Sequence, residues 1–168
     1  MRATDITSLF DYLYWLRDRT LAAAQTLPPD VFISSDTVTT RDLRGTLVHE
    51  LDVEWSWRVR LTGAPPEAWG PDVELKPADY ATVDQLAKHW RRDEAEMRSW
   101  LATLSDEALA EPSNAEASKG FPLWFYLMHM FSHGMQQFSD AAVLLTRAGA
   151  SPGDIEFLDY ADVLVSGS

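Results

Sequence analysis

Leu127-Met128-His129-Met130-Phe131-Ser132-His133-Gly134-Met135-Gln136-Gln137 is the stretch on which the reading of this chain turns. It sets two of the four histidines, His129 and His133, four residues apart in a segment with helical periodicity. Residues at i and i+4 share one helix face, so both imidazoles can point the same way. His49 lies on a separate helical pattern. The three together make a three-histidine metal site an expectation to be tested.

Working outward, the helix that carries the stretch has Pro122 near its first turn, where no N–H partner is needed. It runs through Leu127, Phe131 and Leu144 and stops at Gly149, the usual residue type just past a helix end. Three earlier segments carry the same periodicity. Ile6, Leu9, Phe10, Leu13, Leu16 and Leu21 recur at three- and four-residue steps until Pro28-Pro29 stops them. Leu43, Leu47, Leu51 and Trp55 form one stripe that Gly63 and Pro65-Pro66 end. Thr82-Val83-Asp84-Gln85 fits a capping box, and Leu86, Trp90, Met97, Leu101 and Leu104 follow it as an apolar face. The spacing predicts helices over about 4–26, 40–62, 82–104 and 121–148, with a short C-terminal helix over about 154–164. Leu27 to Val38 reads as mostly extended and polar, and Ala110 to Lys119 as a surface loop. The Pro- and Gly-rich connection from Gly63 to Ala81 is long for a hairpin between antiparallel neighbours. It suits a crossover that sets the second and third helices parallel. The fold class is all-α: a single domain over 1–168, a four-helix bundle with a long crossover between its second and third helices.

Composition narrows the functions. Of 168 residues, 46% are hydrophobic and 24% charged, as in a folded globular domain. No apolar run approaches the roughly 20 residues of a membrane span, and Met1 to Leu9 lacks the order of a signal peptide. With no cysteine, disulfides, thiolate metal ligands and cysteine nucleophiles are excluded, and the expected location is cytoplasmic. Net charge is −12, from 26 acidic and 14 basic residues. The one basic cluster, Arg91-Arg92, is followed at once by Asp93, Glu94 and Glu96. Nucleic acid and anionic membranes are therefore disfavoured as partners. No serine stands in a recognisable nucleophile turn.

Several stretches, taken in order, resemble the DinB-like family. They are Tyr12-Leu13-Tyr14-Trp15 leading to Leu27-Pro28; Asp42-Leu43-Arg44-Gly45-Thr46-Leu47-Val48-His49-Glu50; Pro122-Leu123-Trp124 through His129 and Ser132-His133-Gly134; and Ala148-Gly149 with the acidic segment from Asp154 to Tyr160. The resemblance spans nearly the whole chain. It implies one ligating histidine in the second helix and two more, four apart, in the last, in a pattern Asn-His-Gly-x-x-His-Arg-Gly-Gln. The glycine fixes the register. His133 then matches the first histidine of the pair, and His49 matches the ligand of the second helix. Gln137 stands where the other histidine would be.

An amide oxygen is a weaker ligand than imidazole for a transition metal. Phe138 and Asp140 also replace the family's arginine and glutamine. Three arrangements follow, in this order: His49, His133 and Gln137 as ligands; His49, His129 and His133; and a polar pocket that holds no ion. Glu50 or Asp140 could complete the shell, although helix geometry puts neither on the ideal face. Glu50, Asp52 and Glu54 are expected to be solvated, as charges on an amphipathic helix usually are. His89 reads as a surface or boundary residue. Most of the seven tryptophans should be core, while Trp55 or Trp57, beyond His49, could wall a ligand pocket.

The resemblance implies a divalent metal, zinc or nickel, with a low-molecular-weight thiol as cosubstrate and a small electrophile as its partner. It also implies a homodimer. The expected activity is a metal-dependent thiol S-transferase. The alternative is a non-catalytic dimeric bundle with a degenerate metal site that binds a small molecule or serves a structural role. Gln137 is the feature that divides the two.

Overall fold

In a computed structural model, which describes residues 1–113 and 119–166, four long helices form the bundle: α1 (Ala3–Gln25), α3 (Leu43–Leu61), α4 (Val83–Leu101) and α6 (Leu123–Arg147). Three shorter helices are added, α2 (Pro29–Phe32), α5 (Asp106–Ala110) and α7 (Phe157–Ser166). The caps explain the boundaries. Asp42 Oδ1 accepts the Gly45 N–H at 2.7 Å and starts α3. Thr82 and Gln85 exchange the reciprocal bonds of a capping box at the start of α4. Gly149, at φ +81°, turns the chain after α6 in a conformation that L side chains rarely adopt.

Helix directions follow from the paired side chains. Along α1, Asp11, Arg17 and Gln25 meet Arg98, Glu94 and Asp84 of α4, so these two helices run antiparallel. His49 and Trp57 of α3 meet His133 and Tyr126 of α6, again antiparallel. Glu54 and Arg58 of α3 meet Trp90 and Asp93 of α4, which rise together. α3 and α4 are therefore parallel, and the connection between them must return the full length of the bundle, about 28 Å for a helix of this size. Three single 3-10 turns, each opened by a proline, build that crossover: Pro66–Ala68, Pro71–Val73 and Pro77–Asp79. The Asp52 carboxylate pins it to α3 by accepting the Leu75 N–H at 2.8 Å.

The core contains Leu13, Leu16, Leu47, Leu51, Leu86, Met97 and Leu127, all essentially buried. Across it the Trp90 and Phe138 rings stack at 5.7 Å. Phe138, which stands at the arginine position of the family pattern, is thus a core aromatic. α7 docks on α1 through Tyr12, whose ring meets Phe157 and Tyr160 and whose hydroxyl donates to the Ile155 carbonyl at 2.5 Å.

Two details differ from the sequence reading. The segment after Leu27 is not all extended: Pro29 starts one helical turn that buries Phe32. The five-residue α5, capped by Ser105, precedes the loop and buries Leu109. Within that loop, Ser113 N–H bonds the Phe121 carbonyl and Leu123 N–H the Glu111 carbonyl. The middle of the expected surface loop, 114–118, lies outside the described residues. Among the described residues no helix is long and apolar enough to cross a membrane.

Candidate metal centre

Antiparallel packing of α3 on α6 brings the His49 and His133 rings together. Their Nε2 atoms lie 3.3 Å apart, with ring centroids at 5.0 Å and ring planes inclined at 69°. Two imidazole nitrogens on one tetrahedral zinc, each about 2.0–2.1 Å from it, sit about 3.3–3.4 Å apart. The observed separation matches that of neighbouring ligands, and in the absence of an ion it is that of a hydrogen bond between the two rings. On its other side His133 Nδ1 meets Glu50 Oε2 at 2.6 Å. A carboxylate behind a ligating imidazole fixes its tautomer and leaves Nε2 toward the ion.

Glu50 is 1% exposed, and burial pushes its carboxyl well above the usual range. Burial, then the Arg41 charge and His133, push His49 down to about 4. His133 is lowered as well, by burial and by Arg41. Both imidazoles are thereby neutral near pH 7, the form in which they donate to a metal. The 2.6 Å contact between His133 and Glu50 is then a neutral hydrogen bond; a cation held at Nε2 would favour the ionised carboxylate, which accepts from Nδ1–H.

Gly134 makes this arrangement sterically possible. A Cβ there would lie 2.6 Å from Glu50 Oε1 and 2.8 Å from Leu13 Cδ1. The glycine that follows His133 leaves the space in which the Glu50 carboxyl sits.

Gln137, one turn beyond His133 on the same face of α6, is buried. Among the described residues its amide makes no hydrogen bond to another side chain. His129 takes a different place. Its ring packs edge-on against Trp57 at 5.3 Å and stays 6.2 Å from the His133 ring. Among the described residues no three His, Asp or Glu side chains gather as a metal-ligand group. Neither His129 nor Asp140 thus joins the pair, and the third donor of matching register is Gln137. Two imidazoles converge, and Gln137 follows them one turn along α6.

This geometry sits inside a wider match. The sequence pattern of the family described as DinB covers residues 1–164.

The chain belongs to the DinB family.

No curated protein matches it.

The DinB bundle corrects the expectation that the acidic residues of α3 are solvated. Glu50, Asp52 and Glu54 are all buried, each satisfied by a different neighbour: Glu50 by His133, Asp52 by the crossover, Glu54 by α1 and α4. Glu54 accepts from Tyr14 Oη at 2.5 Å and from Trp90 Nε1 at 2.9 Å, and burial raises its pKa to about 8. Glu50 does not join the Nε2 side: its carboxyl meets the His133 ring at Nδ1, opposite His49. Periodicity cannot reveal this, because the space it uses is created by Gly134 on another helix. Of the two tryptophans, Trp57 lines an aromatic groove with His129. Trp55 lies beside Arg58, His89 and Asp93 on a different surface. His89 is half-buried, with Nδ1 2.6 Å from the Tyr80 hydroxyl.

Proposed function

We propose that this DinB protein is a divalent-metal-dependent thiol S-transferase, with His49, His133 and Gln137 as the ligands of a zinc or nickel ion. The observation that carries this reading is the 3.3 Å approach of the two Nε2 atoms, backed by Glu50 on His133 Nδ1. When bound, such an ion lowers the pKa of a coordinated thiol and holds it as thiolate. In the reaction R–SH + R′–X → R–S–R′ + HX, the sulfur–hydrogen bond breaks and a sulfur–carbon bond forms, while X leaves with its electron pair.

The chain's own residues hold and orient. Glu50 keeps the His133 ring in one tautomer and one plane. Burial keeps His49 and His133 neutral, the charge state in which an imidazole can ligate an ion. A polar cavity of about 480 Å³ is lined by His49, Arg41, Thr37 and Glu74, which suits a hydrophilic thiol beside the ligand pair.

Turnover tests the reading. Protein purified without an affinity tag, loaded with zinc or nickel, should join a low-molecular-weight thiol to a chromogenic aryl halide. His133→Ala should abolish thioether formation. If stoichiometrically loaded protein makes no thioether with any of a panel of thiols and electrophiles, the transferase reading is lost.

One observation favours a second reading. Only two strong donors converge, and an amide stands third. A non-catalytic bundle, dimeric as relatives are expected to be, would bind a small molecule without an ion and show no metal-dependent turnover.

A further inference from the structure

Two opposite charges line the polar cavity beside His49 and leave each other unpaired. The cavity, of about 480 Å³, has Arg41 and Glu74 in its wall together with Thr37 and His49. That volume lies in the usual range of small-molecule sites. Among the described residues, neither the Arg41 guanidinium nor the Glu74 carboxylate has a hydrogen-bond or ion-pair partner. The nearby carboxylates that could have neutralised Arg41 are committed elsewhere. Asp42 caps α3 through the Gly45 N–H, and Asp52 accepts the Leu75 N–H.

The backbone under each charge is held in place. The Thr37 and Thr39 hydroxyls donate to the Arg41 carbonyl at 2.6 and 2.9 Å. Next to Glu74, the Leu75 N–H is tied to α3 at 2.8 Å. Two anchored segments, the one before α3 and the crossover, therefore present charged ends that the protein itself does not satisfy. Both charges also reach the ligand pair. After burial, the Arg41 charge is the next influence that lowers His49 and His133, whereas Glu74 acts on His49 in the opposite sense.

A cation and an anion kept unpaired in one recess complement a ligand that carries both charges of its own. A thiol with an anionic group alone would meet repulsion from Glu74, and one with a cationic group alone repulsion from Arg41. We propose that the cavity binds a zwitterionic amino thiol, its carboxylate accepting from Arg41, its ammonium donating to Glu74 and its sulfur directed to the His49 wall. This names the thiol of the transferase reading and rests on that reading for its role; the recognition of the two charges does not.

Isothermal titration calorimetry on metal-free protein tests it. The probes are L-cysteine as the zwitterion, cysteamine as the thiol without a carboxylate and 3-mercaptopropionate as the thiol without an ammonium group. L-cysteine should bind at least about tenfold tighter than either truncated thiol. Arg41→Gln should bring L-cysteine and cysteamine within about twofold of each other, because the carboxylate then has no partner. Glu74→Gln should do the same for L-cysteine and 3-mercaptopropionate. Neither side chain holds another in place, so both variants should keep the parent's circular dichroism spectrum. Equal affinities for the three thiols, no heat of L-cysteine binding, or discrimination that survives both substitutions would overturn the assignment. Turnover of zinc-loaded protein separates this inference from the transferase reading. Selective L-cysteine binding without thioether formation keeps the cavity and loses the transferase. Thioether formation with cysteamine at the same kcat/KM as with L-cysteine keeps the transferase and loses the assignment.

Discussion

Gly134 and Glu50 form one device, although they lie on different helices. The carboxyl occupies the volume that a side chain at position 134 would need. Gly134→Ala should therefore push Glu50 and Leu13 aside. Overpacking costs about 1–3 kcal/mol, and the better helix propensity of alanine offsets about 1 kcal/mol of that. The net loss in urea unfolding should be about 0–2 kcal/mol, while zinc affinity falls about tenfold or more as the His133 support moves. Unchanged zinc affinity in Gly134→Ala would separate Glu50 from the ion. Glu50→Gln is the milder change. It keeps the shape but removes the carboxyl that would ionise behind a bound ion, and it should weaken zinc binding by about 10- to 100-fold. Glu54 yields a pH test. Its folded pKa of about 8 lies above the ordinary 4.5. Between those values the folded state keeps a proton that the unfolded chain has lost, so stability falls as pH rises through that window. The stability difference between the parent and Glu54→Gln should shift against the parent by a few kcal/mol, roughly, from pH 5 to pH 8. Parallel pH curves would contradict it. His133 was legible in the sequence because Gly134 fixes its register, and His49 because it lies in the distinctive stretch from Asp42 to Glu50 on the second helix. Glu50 was not, because its partner is separated from it by 83 positions and its burial depends on a missing Cβ.

At the scale of elements, the helices that sequence reading placed well are those with local start and stop signals. Thr82 with Gln85, Pro122 and Gly149 each act on backbone groups within a turn, so their effect survives any tertiary context. The same logic makes Asp42 testable. It caps the helix that carries His49, and Asp42→Ala should cost about 1 kcal/mol in chemical denaturation. No change would mean that the first turn of α3 is held by packing alone. The single turn of α2 and the short α5 escaped notice because neither is long enough to show a period; each exists to bury one residue, Phe32 or Leu109. The crossover was visible as length and proline content, but its anchoring by Asp52 was not. A carboxylate that accepts one backbone N–H across 23 positions leaves no pattern in the chain.

For the whole molecule, the up-down-down-up order of the bundle matters more than any single contact. It makes α3 antiparallel to α6 and parallel to α4, so α3 can send Glu50 to one neighbour and Glu54 to the other. An α3 with that many buried carboxylates would not be stable alone. It is held because every one of them has a partner on a different element. The central claim is that His49 and His133 jointly ligate one ion. X-ray absorption fine structure of zinc-loaded, tag-free protein tests it most directly. Two imidazoles at about 2.0–2.1 Å in the parent, reduced to one in His49→Ala, is the predicted result; a shell without imidazole, or one that His49→Ala leaves unaltered, would contradict the account.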